Sequence, residues 1–300
     1  MSRSAVLLLA MGLVANVADA TELELSADSQ LVGEPTSITA KYEDTFVSLA
    51  RTYDLGFEEL VRANPGVDPW LPGEGTQIQL PTQFILPSAP RTGIVINLPE
   101  LRLYYFPDGE EGRVITHPIS IGRMDWGTPL GVTAVQSKVR NPTWYPPQSI
   151  REEHAADNRP LPPVVPPGPD NPLGKHALRL GIPGYLIHGT NKPSGVGMRV
   201  THGCIRMFPE DIEALFNDIP VGTPVRIVNQ PVKLGRDGSG STYYVEAHPP
   251  LEEKEPDADW SLTALTRAYV AAVEEGQGAG FDWARAEQIA ASSRGIPESL

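Results

Sequence analysis

The run Tyr185-Leu-Ile-His188-Gly189-Thr190-Asn-Lys-Pro-Ser-Gly195-Val-Gly197-Met-Arg-Val-Thr201-His202-Gly203-Cys204-Ile-Arg206-Met207 carries the chemistry of this chain and, with it, the fold. An apolar strand ends at His188, a glycine-bearing loop returns the chain, and His202-Gly203 leads into Cys204. Two imidazoles can therefore approach one sulfur. A free thiol has a pKa of about 8.5 and is only slightly ionised at neutral pH. An imidazole can take its proton or, as imidazolium, stabilise the thiolate. Gly203 permits a tight turn, after which the amides of Gly203 and Cys204 can point at a developing oxyanion. The pattern fits a cysteine nucleophile. Two other readings stay open on the residues alone. One is a zinc site, disfavoured because one Cys and two His here lack the usual structural zinc spacing. The other is an inert core thiol.

Cys204 is the only cysteine among 300 residues, which excludes an intrachain disulfide and any multi-cysteine metal site. The composition, 40% hydrophobic and 20% charged, is that of a globular chain. Thirty-seven acidic against 24 basic residues give a formal charge of −13. That balance argues against nucleic acid held through its phosphates. Residues 1–20 read as an export leader: Arg3, an apolar run from Ala5 to Ala15, and Ala18-Asp19-Ala20 as a cleavage pattern. The mature chain is expected to begin at Thr21. An uncleaved anchor is the alternative, although the run is shorter than the roughly 20 residues that span a bilayer. No later segment reads as membrane-spanning. A lone cysteine in an oxidising compartment is either buried and inert or reactive. A reactive one has no internal partner to resolve its oxidation, so a thiol reductant is a candidate partner.

Outward from the motif, residues 35–82 form a small unit. Ser37–Lys41 alternates as a strand. Asp44 or Thr45 can cap a helix carrying Phe46, Leu49 and Ala50. A second helix near Phe57–Ala63 stops at Asn64-Pro65-Gly66, and Gln77–Leu80 is a closing strand. Residues 92–230 are mostly β. Ile94–Leu98 and Leu101–Phe106 flank Pro99-Glu100 as a hairpin, and strands are expected at Arg113–Ile121, Val132–Val139, His176–Leu180, Tyr185–His188 and Val225–Val228. A helix starts at Pro209 and carries Ile212, Leu215 and Phe216. Ten prolines between Pro142 and Pro172 argue that this insert is a long ordered loop or lid, neither helix nor central strand. Residues 231–300 read as a C-terminal extension, expected to be helical, with a charged linker at Glu252–Asp259 and helices on Leu262–Tyr269 and Trp283–Ala291.

The motif resembles the signature of the L,D-transpeptidase (YkuD-type) catalytic domain: a histidine, a glycine-rich stretch, then Ser/Thr-His-Gly-Cys and often Ile-Arg. Here these are His188-Gly189-Thr190 and Thr201-His202-Gly203-Cys204-Ile205-Arg206. The likeness extends to Gly127-Thr128-Pro129-Leu130-Gly131 and Asn171-Pro172-Leu173-Gly174, and the Trp144-Tyr145-Pro146-Pro147 insert matches versions with an N-terminal LysM unit. Residues 35–82 resemble that LysM unit, a binder of N-acetylglucosamine-containing glycans, although Glu43 stands where the family usually has Gly. The resemblance implies an α+β protein: a mostly β catalytic domain built as a sandwich of mixed sheets, a βααβ LysM unit and a helical tail.

The resemblance also implies roles. Cys204 is the nucleophile and His188 its base, oriented by a backbone carbonyl such as that of Gly189. His202 supports the thiolate or the acceptor amine, and the Gly203 and Cys204 amides form the oxyanion hole. Arg206 holds a substrate carboxylate or makes a structural salt bridge. Gly189, Thr190, Thr201 and Tyr185 line the substrate site, Tyr185 having core packing as its alternative. Asp44, Thr45 and Asn64 are the glycan-site candidates. His117, His154, His176 and His248 read as surface or core residues, His176 being the leading exception. No cofactor or metal is expected. The implied reaction is periplasmic. Cys204 takes the acyl group of a peptidoglycan stem peptide at meso-diaminopimelate and releases D-Ala. The acyl group passes to an amine, giving a 3→3 crosslink or an outer-membrane lipoprotein joined through its terminal Lys. A hydrolase of the same fold and a non-catalytic wall-binding protein are the alternatives.

Overall fold

The computed structural model describes residues 21–26, 29–109, 112–240, 242–251, 260–274 and 281–300. The expected leader and the expected charged linker lie outside the described residues. The chain opens with β1 (Thr21–Leu25) and β2 (Leu31–Gly33), neither of which the sequence reading anticipated. The small unit follows as β3 (Thr36–Thr39), α1 (Phe46–Thr52), α2 (Phe57–Ala63) and β4 (Gln77–Leu80), then β5 (Gln83–Ile85). Thr45 is the N-cap of α1: its hydroxyl accepts from the Ser48 amide at 3.1 Å, while the Ser48 hydroxyl accepts from the Thr45 amide at 3.0 Å. Phe46, Leu49, Leu60, Ile78 and Leu80 make a core of its own.

The main body runs β6 (Gly93–Asn97), β7 (Arg102–Phe106), β8 (Gly112–Pro118), β9 (Ile121–Gly122), β10 (Gly131–Arg140), α3 (Gln148–Ala156), β11 (His176–Leu180), β12 (Leu186–His188), β13 (Arg199–Thr201), β14 (Ile205–Arg206), α4 (Pro209–Asp218) and β15 (Pro224–Val228). Nine strands form one mixed sheet in the order β1-β8-β7-β6-β15-β10-β11-β12-β14. The long β10 joins its two halves, pairing with β15 at Gly131–Ala134 and with β11 beyond an irregularity at Val135–Ser137. Ile94, Ile96 and Leu103 from one half, Leu178 and Ile187 from the other, and Ile212 and Leu215 of α4 share one core, so the sheet curls around it. Val95, Tyr104 and Val114 face a second apolar cluster with Val32 and Phe84. The β6–β7 hairpin is therefore buried on both faces, which explains its unbroken apolar run.

Two expectations need correction. The proline-rich insert contains a helix, α3. Its ten prolines flank the stretch 148–159, which has none, and Pro147 sits at the N-cap, where a missing N–H costs nothing. The C-terminal extension is not purely helical. It holds β16 (Val232–Arg236), β17 (Tyr243–Ala247) and β18 (Glu298–Ser299) in a three-stranded sheet, packed on α5 (Trp260–Glu274) and α6 (Trp283–Ser292). Charged residues at inward positions hid these strands. Lys233 and Glu246 are buried, the Lys233 ammonium lying 2.8 Å from both Glu246 and Glu100. No helix among the described residues is long and apolar enough to cross a membrane.

The small unit is seated firmly on the main body. The guanidinium of Arg102 on β7 is wholly buried and grips Glu59 of α2 with both ends, Nε to Oε1 at 2.8 Å and Nη2 to Oε2 at 3.0 Å. The amide of Glu58 donates to the Gly197 carbonyl at 3.2 Å. Gly197 has φ +81°, and a Cβ there would meet the Gly56 Cα at 2.2 Å, so only glycine permits this approach.

Candidate active site

The register of three strands assembles the site. β12 pairs antiparallel with β11 and parallel with β14, which sets His188 beside Arg206 and places Cys204 immediately before β14. His188, Cys204, His202, Arg206, Tyr185 and Thr190 all line a cleft of about 1010 Å³. Its far wall is the insert, through Trp144, Tyr145, Ile150 and Val165. The insert is held shut at its base. The Asn171 amide donates to the Pro142 carbonyl at 2.8 Å, and Trp144 and Val165 exchange backbone hydrogen bonds at 2.9 Å.

His188 is buried, with Nδ1 2.6 Å from the Gly189 carbonyl. That contact puts the proton on Nδ1 and leaves Nε2 as a free base. Burial, seconded by the Arg206 charge, lowers the His188 pKa to about 4, so the ring is neutral at physiological pH. Burial raises the Cys204 thiol, with a Leu186 backbone hydrogen bond and Arg206 opposing. The resting pair is therefore a thiol and a neutral imidazole.

Two threonine hydroxyls fix the loop at the sulfur. Thr201 donates to the Cys204 carbonyl at 2.6 Å, and Thr128 donates to the Gly203 carbonyl at 2.9 Å. Because the peptide is planar, holding the Gly203 carbonyl fixes the direction of the Cys204 amide. Thr128 itself accepts from the Gly122 amide at 3.1 Å. Gly203 has φ +98°, and a Cβ on it would come within 2.9 Å of the Tyr185 ring. Tyr185, for which cleft wall and core packing were alternatives, packs on the core and also lines the cleft.

His202 turns to a partner that sequence reading missed. Its Nε2 lies 3.0 Å from Glu153 Oε2 on α3, Glu153 also pairs with Arg123, and the Trp126 ring stands edge-on to the imidazole at 5.2 Å. Nothing local in sequence links Glu153 to the motif.

The remaining candidates divide. Arg206 has no carboxylate in salt-bridge range among the described residues, and its guanidinium is partly desolvated, lowering its pKa. Thr201 and Thr190 are buried, and Thr190 caps the Lys192 amide at 2.9 Å, so both hydroxyls are spent on the loop. Gly189 donates its amide to the His176 carbonyl at 3.1 Å. His176 stacks on Phe216 at 4.8 Å rather than entering the cleft, whereas His154 of α3 lines it. In the small unit, Asn64 is buried with its amide bonded to Leu60 and Gln79 at 2.9 and 2.8 Å, and Asp44 accepts from the Lys41 amide at 2.7 Å. Asn64 is a strut; exposed large hydrophobic side chains of this unit include Tyr42, Trp70 and Leu71.

A family model described as the L,D-transpeptidase catalytic domain, YkuD, matches residues 91–227. The relative named "Probable L,D-transpeptidase YcfS", from Escherichia coli K12, is 47% identical over 245 residues, which is 80% of this chain and 76% of the relative. The chain belongs to the L,D-transpeptidase family. "Probable L,D-transpeptidase YbiS" of the same organism is 44% identical over 80% of this chain and 79% of its own length. "Probable L,D-transpeptidase ErfK/SrfK" of Salmonella typhimurium is 38% identical over 281 residues, 91% of this chain and 88% of the relative.

For this L,D-transpeptidase, the acid limb of kcat/KM is expected near pH 4, where His188 gains its proton. The sign for stability follows. Folded His188 titrates at about 4 and the unfolded residue at about 6.5, so the unfolded chain binds more protons between them. Its contribution is complete above 6.5 and is lost as pH falls towards 4. A pH profile of kcat/KM, with denaturant midpoints over the same range, tests both. An acid limb at 6.5 contradicts the first, and a flat midpoint contradicts the second. Replacing Glu153 by Gln should lower kcat by about 10- to 100-fold through misplacement of His202. Iodoacetamide labelling of Cys204 serves as the control and should be unchanged, since His188 is untouched.

Proposed function

We propose that this L,D-transpeptidase works through a Cys204 thioester on peptidoglycan stem peptides. His188 Nε2 takes the thiol proton as sulfur attacks the carbonyl of meso-diaminopimelate. The amides of Gly203 and Cys204 receive the oxyanion, and the proton passes to the departing D-Ala amine. An amine then attacks the thioester and regenerates the thiol. The observation that carries this reading is the neutral, Nδ1-anchored His188 sharing one cleft with the chain's only cysteine. Arg206 is the cation for a substrate carboxylate, which its lack of a carboxylate partner among the described residues supports. His202, oriented by Glu153, serves the acceptor amine.

The order β3-α1-α2-β4 supports a LysM-type glycan-binding unit, with Tyr42 and Trp70 as exposed stacking surfaces. The leader-like residues 1–20 support work in the periplasm, where an external thiol reductant would keep Cys204 active. The acceptor is a second diaminopimelate side chain or the terminal Lys of an outer-membrane lipoprotein. Incubation with disaccharide-tetrapeptide, followed by mass spectrometry, should show D-Ala loss and a Cys204 acyl adduct. Adding an acceptor amine should divert product to a crosslink. Products that ignore the amine would mark a hydrolase, and neither release nor adduct would sink the reading.

A further inference from the structure

Three ionisable side chains with no part in the cleft meet where the small unit, the large sheet and α4 converge. Asp54 follows α1, His117 is on β8, and Asp211 lies in the first turn of α4. All are buried, His117 completely. His117 Nδ1 is 3.7 Å from Asp54 Oδ2 and 3.6 Å from Asp211 Oδ1. Both separations exceed hydrogen-bond range. Both ring nitrogens, Asp54 Oδ1 and Asp211 Oδ2 lack any hydrogen-bond partner. Polar atoms this deep are normally satisfied, so four orphans in one place require an explanation.

We propose that Asp54, His117 and Asp211 bind one divalent transition-metal ion of the zinc class as a structural site. One ligand atom from each residue falls within 4.8 Å of the others. Ligands bound at about 2.0–2.1 Å at the corners of a tetrahedron stand about 3.4 Å apart. Separations of 3.6 and 3.7 Å suit that arrangement better than direct bonding. Thr21 covers Asp54, its hydroxyl and backbone N–H each donating to Asp54 Oδ2 at 3.1 Å. Two carboxylates and a neutral imidazole balance a dication. The nearest strong cation, Arg102, is committed to Glu59. An imidazole ligand disfavours calcium and magnesium, whose preferred donors are oxygen. The other buried group of this type, Glu100, Glu246 and His248, already holds a cation, the Lys233 ammonium 2.8 Å from both carboxylates.

The site would pin the N-terminal strand, the small unit and α4 together, away from Cys204. The test uses the full chain carrying Cys204→Ala, which removes the thiol as a rival ligand. After dialysis against a chelator, Zn2+ or Co2+ is added back, excess is removed and the metal content measured. The expected result is one ion per chain, a Co2+ spectrum of tetrahedral type, and a melting temperature raised by about 5 °C or more at saturating Zn2+. His117→Leu and Asp211→Asn, added singly, should each abolish retention. If either variant fails to fold, the spectrum and stoichiometry of the folded parent decide. No retained ion and no thermal response overturn the proposal, as does retention that survives both substitutions.

Discussion

Replacing Cys204 by Ala should abolish D-Ala release from disaccharide-tetrapeptide, a fall of about 10⁴-fold or more. The size follows from the absence of any substitute. The chain has one thiol, and two hydroxyls of the surrounding loop, on Thr201 and Thr128, are donated to backbone carbonyls. Stability should barely change, because the Cys204 side chain is partly exposed and its sulfur makes only weak polar contacts, a long 3.6 Å approach to the Gly184 carbonyl and a Leu186 backbone hydrogen bond. Substrate should still bind, since Arg206, Tyr185 and the insert wall are untouched. Kinetics, a melting curve and ligand titration on the same variant separate these effects. Residual turnover above about 1% would remove Cys204 from the nucleophile's role.

Glu59→Ala should have the largest effect on stability, a loss of about 3–5 kcal/mol. It strands the Arg102 guanidinium, fully buried and held over the Phe84 ring at 4.3 Å, with only the Asp54 carbonyl and the Thr116 hydroxyl left to accept from it. Breaking one side of a buried pair costs far more than the pair contributes, because the remaining charge cannot reach water. The melting temperature should fall by about 10 °C or more. The double variant Glu59→Leu/Arg102→Met removes both charges and should recover most of that loss. Equal losses in the single and double variants would show that packing, not the stranded charge, sets the cost.

The candidate active site was legible because its residues are close in sequence. Cys204 and His188 lie within one strand–loop–strand segment, and Gly203 announces the tight turn that its positive φ requires. Alternation and turn signals likewise gave the hairpin at Pro99-Glu100 and the two helices of the small unit. What escaped depends on distant pairs. Glu153 and Thr128 reach the motif only through the curl of the sheet, and proline density averaged over the insert concealed α3. The C-terminal strands were obscured because Lys233 and Glu246 look like solvent-facing residues until the network that neutralises them is seen. Asn64 looked like a turn residue free to meet a ligand, yet its amide is the bond that ties α2 to β4.

The shared strand β10 has a consequence for how the molecule comes into being. Its first residues pair with β15, which is itself zipped in parallel to β6, and its last residues carry β11, β12 and β14. β6 and β15 stand far apart along the chain, so the loop between them has to close before that half-sheet is complete. Such long-range parallel pairing is slow, and the other half hangs from it by one strand. The catalytic groove should therefore be among the last features to mature in refolding, after the locally wired small unit, with enzymatic competence lagging behind the return of secondary structure.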